Sequence, residues 1–490
     1  MTGVSFSALF AADVRRVARS PLLWIVQALL LASFLWGTYG TARFHGEQTA
    51  DQARTVQAEA AWLKEVKGRI GRYTTPAPPG TPMPPTWQDP TDLAGFARFL
   101  LFAHSMKPHL PLSPLSIGAS ELSPTIIDIK LNRPFVGDPT YDLLNPRALK
   151  TGIFDLGFAL TYLAPLAVLL LFGLLGTVER DRGILPMIAA HPLPARRWLG
   201  ARNMALFVWT AGPILLSLVV TLALVGVPIL TAGVAVAILL VLAWLVFWTG
   251  LAALILSRLP TAATATGQLV GLWFALTIGL PLVAGLIETA IDPAPSRARY
   301  VNALRHAGES VERDHEAIII AGLKAEPAFR HVARKDVNDL ATFSFTVPET
   351  ERRLAPTYDA IQSHRREAVS RANVLGFVMP PLGMSTALAG LAGTDEAAQL
   401  RFEDRARVFQ LRLRDDLYGR ALALLLHPVP YNPVRARGQM NYLAFDDLPQ
   451  DPPSAEPPRL SYALEMTAWL MVLGFSLFTA ATMRGSRWRS

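Results

Sequence analysis

Val178 to Asn203 reads VERDRGILPMIAAHPLPARRWLGARN, a polar and basic stretch set between two apolar runs. The flanking runs, Gly152–Val178 and Met204–Gly226, are each long enough to cross a bilayer, which takes about 20 apolar residues in a helix. Within the stretch Arg180, Arg182, Arg196, Arg197 and Arg202 stand against Glu179 and Asp181. Short arginine-rich segments beside membrane spans lie on the cytoplasmic side. A connection between neighbouring helices needs only about 2–8 residues, so a loop over 179–203 predicts contact with something in the cytoplasm.

The rest of the chain fits this membrane reading. Of its 490 residues, 51% are hydrophobic and 17% charged, where soluble domains carry roughly 25% charge. The net charge of +8 does not argue for nucleic acid, because much of it sits in arginines at span ends, where orientation and anionic lipid account for it. Cysteine is absent, which excludes disulfides, thiolate metal sites and cysteine nucleophiles.

Outward from the opening stretch, the pattern predicts six spans. Residues 1–20 space Phe6, Leu9, Phe10, Val14 and Val17 along one face, with Asp13, Arg15, Arg16 and Arg19 on the other. That is an amphipathic helix lying in the cytoplasmic interface, or equally a basic flank to the first span. The first span is 21–40, a retained anchor rather than a signal peptide, since no small-residue cleavage site follows promptly. An external region over 41–151 follows. It contains a helix at Ala50–Ile70, a proline-rich break at Thr75–Pro90, a short helix at Leu93–His104 and a strand at Thr125–Leu131. The second, third, fourth and fifth spans are 152–178, 204–226, 232–256 and 261–287. A larger external region over 288–461 carries an apolar stripe at Phe402, Ala406, Phe409, Leu413 and Leu417, and a second through Val301, Leu304, Val311, Ile318 and Leu323. Proline clusters at Pro428–Pro433 and Pro449–Pro458 precede the sixth span, 462–483, and a basic tail, 484–490. With both termini inside, every short basic segment falls on one side. The predicted fold class is an all-α polytopic membrane protein, six transmembrane helices plus a mainly helical extracytoplasmic cap.

A search for catalytic chemistry is mostly negative. No phosphate-binding G-x-x-x-x-G-K-[ST] occurs, and no H-E-x-x-H. The nine histidines make no i, i+4 pair, and the eleven methionines no Met-x-x-Met. Catalytic, cofactor-binding and metal residues are therefore none. Gly383-Met-Ser-Thr-Ala387 approximates a nucleophile elbow, but its last residue is not glycine and no buried strand precedes it, so Ser385 is not expected to be a nucleophile. Gln27, Asp155, Gln268, Glu288 and Glu465 are the polar groups within or near spans. Asp155, Glu288 and Glu465 fall at external span ends, where solvation is the simpler reading; Gln268 is the one expected to be buried. Gln268 and Asp155 are the candidate pathway residues, although a single Gln serves equally as a helix–helix hydrogen bond.

The run Glu179-Arg180, Gly183, Ile184-Leu185, Pro192, Arg196 and Gly200-Ala-Arg202 resembles the cytoplasmic loop of type-2 ABC transporter permeases. Those usually read Glu-Arg-x-x-Gly-Thr-Leu, then a proline and an arginine, then Gly-Lys entering the third span. Here Ile184 stands for the threonine and Arg202 for the lysine, and Pro186 is expected to shorten the contacting helix. The layout is also similar to a subfamily of these permeases with a large external domain of unknown function, associated with multi-copper-enzyme maturation. Its Leu-Ala-Gly-Thr-Asp segment is matched at Leu391–Asp395; the paired histidines that often follow are replaced here by Glu396-Ala-Ala-Gln399, so no metal role carries over.

The resemblance implies a permease subunit, with export the favoured direction, in a bacterial cytoplasmic (inner) membrane. It implies a separate ATPase chain, holding ATP and magnesium, that docks on Glu179, Arg180, Gly183, Arg196, Arg197, Gly200 and Arg202. Six spans imply a second permease, either a homodimer or a related chain, and membrane lipid and a periplasmic protein are further partners. Two other readings stay open: a membrane scaffold for maturation of a periplasmic enzyme, and a membrane-anchored hydrolase.

Overall fold

The computed structural model describes residues 5–73, 86–88, 90, 95, 97, 101, 103–136, 154–190, 194–258, 260–427 and 448–486. Among the described residues the architecture is all-α, with one small antiparallel pair of strands. Among the described residues six helical stretches are long and apolar enough to cross a membrane.

Helix α1 (Phe6–Ala18) starts at Ser5, whose hydroxyl accepts the Ala8 amide at 3.2 Å. Helix α2 (Pro21–Tyr73) follows without a break at the end of its apolar part. The span expected at 21–40 and the separate helix expected at Ala50–Ile70 are thus one helix. The joining segment has no proline to stop it, and Arg43 and Glu47 pair across one turn at 3.0 Å.

The second span begins with α3 (Leu156–Phe158), widens into a π turn over Ala159–Leu163 and continues as α4 (Ala164–Leu175). A second π turn, Ala275–Gly279, lies between α9 (Ala262–Phe274) and α10 (Leu280–Ile291) in the fifth span. Both π turns run into a proline, Pro165 and Pro281. Proline has no N–H for the carbonyl one turn back, and a widened turn relieves its clash with that carbonyl. At the first π turn, the carbonyls of Leu160 and Tyr162 accept the indole N–H groups of Trp244 and Trp273, each at 3.1 Å. The altered backbone is thereby satisfied from neighbouring helices, as an apolar surrounding requires.

Between the second and third spans lie α5 (Val178–Asp181) and α6 (Leu185–Ala190). The third span is α7 (Ala195–Leu224), the fourth α8 (Ala232–Leu256) and the sixth α16 (Leu460–Ser486). The bundle core centres on Trp244 and Trp248, with Phe34, Phe172 and Leu240 around them. Helices α8 and α16 approach closely where Gly250 faces the backbone of Gly474, the small-residue contact expected of helices packed in lipid.

The cap combines the distal half of α2, strands β1 (His104–Met106) and β2 (Ile126–Asp128), and helices α11 (Arg297–Arg313), α12 (His315–Ala325), α13 (Asp339–Val378), α14 (Pro380–Ala392) and α15 (Glu396–Leu426). The strands are antiparallel, with His104 opposite Asp128. The short helix expected at Leu93–His104 lies largely outside the described residues, and its last residue instead opens β1. The expected stripe Phe402, Ala406, Phe409, Leu413 and Leu417 is buried, packed on Val66 and Ile70 of α2 and on Ile127 and Ile129. The second expected stripe is divided by a break at Asp314, between α11 and α12. Thr75–Pro90 and Pro428–Pro433 fall mostly outside the described residues, while Pro449–Pro458 runs without helix or strand.

The Leu391–Asp395 segment has a local physical role. Gly393, at φ +70°, ends α14 in the left-handed conformation that glycine tolerates best. Asp395 then caps α15 by accepting the Ala398 amide at 3.1 Å. Between them, the Thr394 hydroxyl donates to the Ser116 carbonyl at 3.0 Å, joining the two external regions.

Candidate functional site

The described residues of the stretch Val178–Asn203 lie at the end of the bundle opposite the cap, and they are mostly helical rather than an open loop. Thr177 and Val178 lead from the second span into α5, and Gly183, at φ +68°, turns the chain sharply toward α6. Pro186 is the second residue of α6, where its missing N–H costs nothing, so it helps start this helix rather than shorten it. Helix α6 rests on the first turns of α7, where Leu185, Trp198 and Leu199 form a small core of their own with Ile188 alongside. That packing explains why α7 begins at Ala195, well before the expected 204. Arg196, Arg197, Gly200 and Arg202 are consequently helical residues, not loop residues.

The site residues separate into an outer and an inner set. Arg180, Arg182, Gly183, Arg196 and Arg197 are exposed, as are Ile184 and Met187, the latter 67% exposed. Glu179 and Arg202 are buried, at 7% and 3% exposure. This corrects their expected role as surface contacts: both face into the junction and pair with each other. Gly200 is half-buried beside the Phe6 ring of α1.

Arg16 of α1 joins the same ion pair, 3.2 Å from Glu179 and 3.1 Å from Asp13. Asp13 and Arg16, expected on the solvated face of α1, therefore point inward. The reason is electrostatic: the last carbonyls of α4 point at this spot, and the negative end of a helix favours cations. Arg16 donates to the Leu175 carbonyl at 3.3 Å and Arg202 to the Gly176 carbonyl at 3.1 Å. Two arginines, one glutamate and one aspartate leave the cluster neutral, and Arg202 also stacks over the Trp198 ring at 4.3 Å. A fifth element joins through Asp181, whose carboxylate accepts the Ala262 amide at 3.1 Å at the start of the fifth span. Helix α5 thus ties together α1, the second span, the third span and the fifth.

The candidate pathway residues are not brought together. Asp155, expected to be solvated, is instead buried and accepts from Ser116 Oγ at 3.1 Å and from the amides of Ile117 and Phe158 at 2.9 and 2.6 Å. It caps α3 and holds the first external region against the bundle. Gln268, expected to be buried, is exposed, because the neighbouring Ala265 and Leu269 take the inward face of α9. Gln27 is buried and donates to the Trp209 carbonyl at 3.2 Å. Glu288 pairs with Arg371 at 3.1 Å, and Glu465 is exposed. Ser385 lies within a helix and donates to the Leu382 carbonyl at 2.9 Å, without the strand that a nucleophile elbow needs.

Sequence reasoning misses the participation of Asp13 and Arg16. Their only local signal is a carboxylate and a guanidinium at i, i+3 on an otherwise basic helix face. Comparison with known proteins returns no matching curated protein and no matching solved structure. Residues 297–423, from α11 to within α15 of the cap, match the family model of a domain of unknown function, DUF3526.

Proposed function

We propose that this chain is the transmembrane permease subunit of an ABC transporter, an exporter driven by a separate ATPase chain that docks on α5 and α6. The supporting observation is the four-way attachment of α5 through Glu179, Arg202, Arg16 and Asp181, beneath an exposed face of Arg180, Arg182, Ile184 and Met187. A partner pressing on that face would act on a unit bonded to three spans and to α1. Closure of the partner around ATP would displace α5 and α6, and the displacement would pass to α7 through the Glu179–Arg202 ion pair and to α9 through the Asp181–Ala262 hydrogen bond. Such an element is biased by a ligand bound elsewhere, and it needs two arrangements of comparable free energy. In this reading α1, α5 and α6 face the cytoplasm, the cap is extracytoplasmic, and a second permease copy or a related chain completes the transporter.

The test is purification of the full chain from native membranes, with co-purifying chains identified by mass spectrometry. Recovery of a P-loop ATPase is expected, and its loss in the exposed-face variants Ile184→Asp and Met187→Asp, which leave the buried ion pairs intact. A periplasmic enzyme recovered in place of an ATPase would transfer the assignment to a maturation scaffold.

A further inference from the structure

A cavity of about 410 Å³ opens where the cap meets the bundle, between the Ser116–Glu121 segment, the start of the second span, α13, α14 and the first turn of α15. That volume is in the range of small-molecule sites, roughly 300–1,000 Å³. Its charged wall residues are Glu121, Asp155, Asp395, Glu396 and Arg459. Two of the carboxylates are neutralised: Asp395 by Arg459 at 2.9 Å and Glu396 by Arg365 at 2.7 Å. The other two have no cation within ion-pair distance among the described residues. Among the described residues Asp155 is held only by a hydroxyl and two amides, and the buried Oε1 atom of Glu121 has no partner.

A second group points the same way. Thr161, a residue of the cavity wall and 0% exposed, has a hydroxyl that also lacks a partner among the described residues. Thr177, Thr210 and Thr249 in the spans donate to the carbonyl one turn earlier, whereas Thr38 and Thr266, like Thr161, have no partner among the described residues. Thr161 sits in the π turn, where the chain departs from that spacing. A buried hydroxyl left unpaired is destabilising, and a ligand hydrogen bond removes that cost. Beside it, the rings of Phe158 and Tyr162 lie 4.9 Å apart on the same wall, and Phe158 is exposed. Aromatic faces near an unneutralised negative charge attract cations.

We infer that this cavity binds a protonated amine carrying an apolar or aromatic body. The ammonium donates to Glu121 Oε1 and to the Thr161 hydroxyl, Asp155 supplies further negative potential, and the apolar body lies against Phe158 and Tyr162. This does not depend on the transporter reading, since any of the functional classes above could hold such a ligand.

The probe is radiolabelled 2-phenylethylamine, measured by equilibrium binding to the full chain in lipid nanodiscs, with empty nanodiscs subtracted. Saturable binding is expected, displaced by unlabelled amine but neither by the neutral 2-phenylethanol nor by the anionic 3-phenylpropionate. Glu121→Gln should weaken it at least about tenfold, and the nearly isosteric Thr161→Val about threefold to tenfold, the scale of one charged and one neutral hydrogen bond. Absence of saturable binding to the unaltered chain overturns the inference. So does equal displacement by 2-phenylethanol, which would make the cavity merely apolar. Unchanged affinity in both variants, each with an unaltered elution profile and helical circular dichroism, overturns it as well.

Discussion

Glu179 and Arg202 form a buried ion pair that joins the short helix after the second span to the base of the third. The pair is shared with Arg16, so removing either partner strands charge in a site with little water. Breaking such a pair costs about 3–5 kcal/mol, while replacing both partners with apolar groups is often close to neutral. We therefore expect Glu179→Leu and Arg202→Met each to lower stability by about 3 kcal/mol. The double variant Glu179→Leu/Arg202→Met should lose clearly less than the sum. Denaturant unfolding in detergent, arranged as a double-mutant cycle, measures the difference; strict additivity would show that the two side chains do not act together.

The contact between α8 and α16 leaves no room for side chains. A Cβ at Gly250 would lie 2.7 Å from the Gly474 carbonyl oxygen, and one at Gly474 would lie 2.9 Å from the Phe247 amide nitrogen. Both obstacles are backbone and cannot rotate away. Gly250→Ala and Gly474→Ala are expected to destabilise by about 1–3 kcal/mol, the usual cost of overpacking. Gly212, inside α7, is the control, since a methyl group there would meet nothing within 4 Å; alanine at this position should be neutral or stabilising by about 0.5–1 kcal/mol. Melting temperatures of the three variants decide it.

Acid should destabilise the cap through His109. Its ring lies 4.4 Å from that of His45, and burial, followed by the nearby Lys107 ammonium, lowers its pKa from 6.5 to about 4. An unfolded chain binds a proton at this histidine near pH 6.5, and the folded chain does so only near pH 4. Its contribution is complete above pH 6.5, declines as pH falls from 6.5 to about 4 and is constant below that. Replacing His109 with Phe should flatten the stability profile across this window, from pH 6.5 down to about 4. An identical slope in the variant would remove His109 from the account.

Asp395 performs two tasks that substitution can separate. It caps α15 through the Ala398 amide and pairs with Arg459 at 2.9 Å. Asparagine keeps the cap and loses the charge, whereas alanine loses both; loss of a cap alone costs about 0.5–2 kcal/mol. Hydrogen exchange at the first turn of α15 should accelerate more in Asp395→Ala than in Asp395→Asn. Equal acceleration would mean that the cap contributes nothing.

The spans are legible in the sequence because each is a run of some twenty apolar residues, a signal that needs no partner to be read. The cap stripe from Phe402 to Leu417 is legible for a related reason, since helical spacing marks a buried face whatever it packs on. Contacts between distant segments are not. Nothing local to Asp13 or Glu179 shows that each meets Arg202, and nothing local to Asp155 shows that Ser116 and Ile117 will cover it. Gln268 shows the converse. A polar residue within an apolar run suggests an inward position, but which face of α9 turns inward is decided by Ala265 and Leu269. The π turn before Pro165 is announced by its proline, though not the placement of Thr161 on a cavity wall.

The unbroken course of α2 has a mechanical consequence. At 1.5 Å per residue, its 53 residues make a rod about 80 Å long. One end is anchored among the spans by Leu23, Leu30 and Phe34, and the other is embedded in the cap by Val66 and Ile70. A tilt of about 5° at the membrane end would sweep the far end through about 7 Å, with no hinge to absorb it. Any rearrangement of the bundle that tips this helix is therefore delivered, enlarged, to the cap.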